Sequence, residues 1–290
     1  MIYKGIIFAI AYVLLAPLVG GFLEGVDRKI SARMQRRVGP PVLQPFYDVR
    51  KLLNKQTISV MTAQTFLLMT YMVLMILTGA MFFYGTDILM CFFVMSTAAT
   101  FLYFASVVTS SPYSSIGAQR ELIQMMAYEP AVLLSCVGFY LAAGTFQVSE
   151  IAGSNHLSYF LQLPGFFVAF VFILTIKMRK SPFDISTSHH AHQELIKGIT
   201  TEMGSKNLAI FQITEWYENV FLMGVIGLFF VNKNVYSIIV AIVAILLVYF
   251  LEILIDNSSA RMKWADMLKL SWVVTLFSAG VNLIILMVIR

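Results

Sequence analysis

Eight long runs of apolar residues, separated by short polar breaks and two longer charged ones, set the plan of this chain. They extend over approximately Ile6–Leu23, Phe66–Tyr84, Ile88–Thr109, Ala127–Phe146, Tyr159–Ile176, Leu208–Val231, Val235–Ile255 and Leu270–Ile289. Each is long enough to cross about 30 Å of hydrocarbon as an α-helix. Helices are expected because the runs are continuously apolar and a backbone amide in lipid must find its partner within its own segment. No block repeats along the chain as the halves of a secondary transporter do, and no segment is of low complexity. The pattern predicts an all-α, polytopic integral membrane protein with eight transmembrane helices.

Composition agrees with the pattern: 59% of the 290 residues are hydrophobic and 12% are charged. That balance lies outside the soluble class and leaves a single membrane domain over residues 1–290. The net charge of +5 would point to nucleic acid in a soluble protein. Here the cations cluster beside apolar runs, as juxtamembrane anchors do, so the bilayer is the expected partner and nucleic acid is not. Cys91 and Cys136 lie in different runs and form no CxxC pattern, which gives this chain no iron–sulfur or zinc site of its own. The first apolar run lacks a small-residue cleavage pattern and reads as a retained span.

Cations follow runs one, three, five and seven: the stretch 27–55, then Arg120, then Lys177, Arg179, Lys180, Lys197 and Lys206, then Arg261, Lys263 and Lys269. The opposite side has Lys4, Lys233 and Arg290. By the positive-inside rule the odd loops are cytoplasmic and both termini lie outside. Residues 27–65 and 177–207 are too long for simple connectors, and the helical spacing of Tyr47, Arg50, Lys51 and Leu52 predicts ordered structure there.

The stretch 27–55 holds eight of the 20 Lys and Arg residues. Arg28, Lys29, Lys51 and Lys55 are accounted for by topology and anionic lipid heads. Gly39, Pro40, Pro41 and Pro45 directly after Arg33, Arg36 and Arg37 dictate a bent, rigid path. A shaped basic loop predicts a docking surface, with Gln44 and Asp48 in its helical part.

Acids within apolar runs are the candidates for chemistry. Glu129, with Pro130, opens the fourth run, Glu215 and Glu218 lie in the sixth, and Glu252 lies near the end of the seventh. Glu215 and Glu218 are three residues apart and share a helix face. Such acids face bundle interiors or wet cavities, where proton relays are built. The alternative is that an acid near a span end snorkels or pairs with a cation, and this stands open for Glu129 and Glu252. The loop 177–207 adds Asp184, Glu194 and Glu202 with His189, His190 and His192, a mixture able to pass protons near neutral pH or simply to hydrogen-bond at a subunit contact. His189 and His192 share a helical spacing, but no third ligand follows at a metal-binding interval. Phosphate-loop, GxSxG and HExxH motifs are absent from the sequence.

DRKISARMQRRVGP followed by LQPFYDVRKLLNK resembles the first cytoplasmic loop of the membrane subunit that anchors the peripheral arm of respiratory complex I, the NuoH superfamily. SPFD at Ser181 to Asp184, then ELIKG, TTEMGS and AIFQITEWYEN, and MAYEP at Met126 to Pro130, match the same family in order along nearly the whole chain. Two departures are similar to the membrane subunit of Ech-type energy-converting NiFe hydrogenases. The passage from Gly39 to Gln44 is shorter than in quinone-reducing members, and ISTSHHAHQ replaces a short acidic segment after Asp184.

The resemblance implies a cofactor-free integral subunit beneath a NiFe large subunit and an iron–sulfur small subunit, alongside a polyferredoxin-like subunit and an antiporter-like membrane subunit. It implies ferredoxin as electron donor, with the NiFe centre and 4Fe-4S clusters in those partners and proton or sodium transfer through the membrane subunits of a prokaryotic cell membrane. Glu202 and the first-loop arginines would lie near the peripheral subunits, and Glu129, Glu215 and Glu218 would form a lateral path. A quinone-site subunit of a complex I-like oxidoreductase and a formate hydrogenlyase membrane subunit are the alternatives, and a stand-alone cation transporter is disfavoured by the lack of internal repeats.

Overall fold

The computed structural model describes residues 2–56, 61–154, 158–180, 182–183, 186–187 and 197–289. Eleven α-helices follow in order among the described residues: α1 Ile2–Met34, α2 Gln44–Asn54, α3 Thr62–Tyr84, α4 Ile88–Val107, α5 Pro112–Ala143, α6 Val148–Ala152, α7 Pro164–Lys177, α8 Ser205–Leu228, α9 Val235–Ser258, α10 Trp264–Val274 and α11 Val281–Ile289. A six-residue π-helical turn, Thr275–Gly280, joins α10 to α11 without a break, so the two form one span. Among the described residues, six helical spans are long and apolar enough to cross a membrane by length and composition: α1, α3, α4, α5, α9 and the α10–α11 rod.

The other two expected spans are the inner ones. α7 has 14 residues, about 21 Å at the rise of an α-helix, and α8 carries acids. Both are enclosed by neighbours: α7 packs on α5, α9 and the α10–α11 rod, and α8 on α1, α2, α3 and α9. A helix shielded from lipid needs neither full hydrocarbon length nor an apolar face all round. Outward residues such as Phe8, Leu14 and Leu18 of α1, and Ile239, Val243 and Leu247 of α9, are exposed and apolar, as a lipid-facing surface requires.

Two boundaries differ from the sequence expectation. α1 runs on through Asp27 to Met34 because residues 26–38 contain neither glycine nor proline, so the basic stretch begins as helix. α5 begins at Pro112 and places Glu129 and Pro130 near its middle, correcting the expectation that they open the span. The first half of α5 is polar in sequence, yet Ser114, Arg120, Glu121 and Gln124 are buried, so hydropathy alone underestimates its length.

Close backbone approach fixes α1 against its neighbours. Tyr12 donates to the Tyr217 carbonyl at 2.9 Å and Tyr217 to the Val13 carbonyl at 2.8 Å, a reciprocal tie between α1 and α8. A Cβ at Gly25 would lie 1.8 Å from the Val42 carbonyl oxygen, so only glycine lets residues 41–43 cross α1 there. α2 then lies on α8 with Pro45, Val49 and Leu52 inward at helical spacing, and Phe46 meets Trp216 with centroids 5.3 Å apart. The opposite face, with Tyr47, Arg50 and Lys51, is exposed.

Candidate ion-transfer site

The site is built where α7 ends. Arg179 has φ 53° and Lys180 donates its backbone N–H to the Thr175 carbonyl while Arg179 donates to that of Ile176. This is the left-handed helix stop usually made by glycine, and a side chain there costs about 1–2 kcal/mol. The turn sends three cations, Lys177, Arg179 and Lys180, to carboxylates on four different helices.

Lys177 Nζ lies 2.7 Å from Glu218 Oε1 on α8, with both side chains less than 10% exposed. Glu218 Oε2 also accepts from the Tyr71 hydroxyl of α3 at 3.2 Å, and Lys177 stands 4.1 Å above the Tyr128 ring. Arg179 Nε lies 3.0 Å from Glu215 Oε1, also on α8. Its outer nitrogens reach Glu121 of α5 at 3.3 and 3.4 Å, and Nη1 donates to Ser186 Oγ at 2.9 Å; Ser186 in turn donates to Glu121. Lys180 pairs with Asp27 of α1 and stands 3.6 Å from Asp256 of α9. Burial works against the Arg179 charge, but Glu121 and Glu215 outweigh it, and the pKa lies above the ordinary guanidinium value.

Lys177, Lys180, Asp27, Glu215 and Glu218 line a polar cavity of about 80 Å³ together with Glu24, Asn219 and Tyr249. That volume admits a few waters and is well below the roughly 300 Å³ at which organic-ligand sites begin. A larger cleft of about 700 Å³, lined by Leu141, Leu161, Phe277 and Ile285, lies at the other end of α5 and α7 and carries no charged residue.

The sixth-run acids Glu215 and Glu218 lie on one side of α8 and line one cavity. Glu252 is fully buried on α9, Glu129 is half-buried in α5, and Glu202 is half-buried in the turn before α8. Asp184, Glu194, His189, His190 and His192 lie outside the described residues. Among the described residues no three His, Cys, Asp or Glu side chains converge as a metal-ligand set.

The expected docking stretch divides in two. Arg28 pairs with Asp48 at 2.7 Å and with Glu24, and Gln44 donates to Asp48 at 2.8 Å, so these residues join α1 to α2. Pro45 is buried, and Gly39, with φ 75°, lets the chain turn against Ala32 beside Pro40. Lys29, Arg33, Arg36 and Arg37 are exposed.

Sequence reasoning assigned Lys177, Arg179 and Lys180 to membrane topology and passed over Glu121, Glu24 and Asp256. The available signal was three cations within four residues directly after an apolar run, in a chain with buried acids lacking local partners.

A family model described as NADH dehydrogenase matches residues 6–287 of this helical array. The chain belongs to that family. It is 24% identical over 291 residues to hydrogenase-4 component C of Escherichia coli (strain K12), covering 92% of this chain and 91% of the relative. It is 25% identical over 297 residues to a subunit of the NADH-quinone oxidoreductase of Rhodospirillum rubrum, covering 91% and 87%. A chain from the membrane-bound sulfane sulfur reductase, an archaeal respiratory membrane complex, superposes with a TM-score of 0.84 at 23% identity, covering 97% of this chain and 99% of that one, and shares the fold. The chain is a multi-pass membrane subunit of the group that spans complex I and hydrogenase-type assemblies.

Proposed function

We propose that this chain is the membrane-anchoring and ion-coupling subunit of a ferredoxin-linked, energy-converting NiFe hydrogenase. Its exposed cations on 29–37 and α2 dock the NiFe large and iron–sulfur small subunits on the cytoplasmic side, with a polyferredoxin-like subunit supplying electrons. The partners' NiFe centre and 4Fe-4S clusters carry the electron chemistry, in which two electrons from ferredoxin and two protons give hydrogen. An antiporter-like neighbour shares the ion transfer in the bilayer.

The observation that carries this reading is the Arg179 guanidinium shared between Glu121 and Glu215, the second of which lines the polar cavity. A charge change in a docked subunit alters how tightly Arg179 holds Glu215, and Glu215 then takes up or releases a proton to cavity water. Glu218, balanced by Lys177, is the next carboxyl on the same helix, and Glu129 continues the lateral path. The cavity beside Glu215 and Glu218 has room for water and not for a quinone ring, which supports ion transfer at these acids.

The test is the purified complex in proteoliposomes. Glu215→Gln should keep hydrogen evolution with an artificial electron donor and lose ion uptake. Unchanged ion uptake would overturn the assignment, as would co-purification with a quinone-reducing peripheral arm and no NiFe subunit.

A further inference from the structure

Glu252 stands apart from the paired acids. Its side chain has 0% exposure on α9, and neither carboxyl oxygen has a hydrogen-bond partner among the described residues. A carboxylate in that position forfeits its hydration and gains nothing in return, whereas a carboxylic acid loses far less. The charges that act on it are Lys180, from the segment after α7, and Asp256, one turn along α9. Lys180 is already held by Asp27 of α1 and lies 3.6 Å from Asp256. Its single positive charge thus faces two carboxyl groups before Glu252 is counted. On the α8 side, Glu215 and Glu218 face the cavity that Lys180 and Asp27 also line.

We propose that Glu252 is a second proton-holding site, neutral at rest, whose proton is released when Lys180 turns from Asp27 toward α9. Asp256 and Glu252 are four residues apart and neighbour each other on the helix, so Lys180 reaches Glu252 by a short movement along one face. The ammonium brought there favours the carboxylate, the O–H bond breaks, and the proton is taken up by Asp27, which loses its ammonium partner in the same step and lines the cavity, while a Lys180–Glu252 pair replaces the Lys180–Asp27 pair. This deepens the ion-coupling reading by adding a branch on α9, and rests on it only for the direction of use.

Infrared spectra of the purified resting complex in H2O and D2O test the site without turnover, so the result stands even if Glu215 proves unconnected to pumping. A carboxylic C=O band that shifts in D2O is expected at neutral pH, and it should vanish in Glu252→Gln while Glu252→Asp keeps a displaced band. Asp27→Asn, which frees Lys180 from α1, should diminish the band and raise the carboxylate signal. A wild-type complex with no such band, or one that persists in Glu252→Gln, overturns the site, and an undiminished band in Asp27→Asn overturns release by Lys180.

Discussion

Arg179 and Glu215 meet at 3.0 Å although one ends the fifth span and the other sits a full turn or more inside the sixth. The same guanidinium holds Glu121 through two nitrogens, so α5 and α8 are joined through one side chain. Planar, multi-donor arginine suits this task where a single ammonium does not.

Arg179→Gln leaves the buried Glu121, and Glu215 at the cavity edge, without their cation, and should lower stability by about 3–5 kcal/mol. Arg179→Lys keeps the charge but reaches one carboxyl group only, and should fall between wild type and Arg179→Gln. Thermal unfolding of the detergent-solubilised protein, followed by circular dichroism, ranks the three.

Lys177 and Glu218 should behave as a coupled pair. Removing either alone, as Lys177→Met or Glu218→Gln, leaves a buried group uncompensated, while the double variant removes both charges. The double variant is expected to be more stable than Lys177→Met alone, with a coupling energy of about 1–3 kcal/mol in a double-mutant cycle.

Arg36, in the turn just after α1, has φ 58° and an exposed side chain. Arg36→Gly should stabilise the isolated subunit by about 0.5–1 kcal/mol, since glycine holds that conformation without a Cβ penalty. The same substitution removes one docking cation, so association with the peripheral subunits should weaken at raised salt. Unfolding temperature and salt-dependent pull-down read the two effects separately.

Gly25→Ala drives a methyl into the Val42 carbonyl oxygen, 1.8 Å from the ideal Cβ position. The chain at 41–43 must move off α1, with an expected loss of about 1–3 kcal/mol. Proteolysis between α1 and α2 should quicken in this variant before the rest of the bundle unfolds.

Charge reversal at the exposed positions Lys29, Arg33 and Arg37 should release the peripheral subunits while leaving the membrane subunit folded, because these side chains lie outside the α1–α2 ion pairs. Size-exclusion chromatography at low and high salt checks this. Retention of the complex in the triple variant would move the docking surface elsewhere.

Much of the fold was legible because its determinants are local. Apolar runs of span length and the need to satisfy every amide within its own segment give helices, and the inward spacing of Pro45, Val49 and Leu52 gives α2. Glu215 and Glu218 could be placed on one face of α8 from their interval alone. The polar start of α5 was missed because Glu121 meets Arg179 across the bundle, and a hydropathy profile scores such buried charge as loop. Likewise Glu121 gave no sign of its role beside Arg120.

The sequence by itself determined an all-helical membrane chain of eight hydrophobic segments, its family resemblance, and the acids that have to be explained. Only the tertiary structure decided which cation meets which acid. Lys177, Arg179 and Lys180 are nearly adjacent in the chain, but a left-handed stop at Arg179 aims them at α8, at α5 with α8, and at α1 with α9. Pairing energies in a water-poor interior depend on separations of a few ångströms between helices far apart in sequence, and no local pattern encodes those distances.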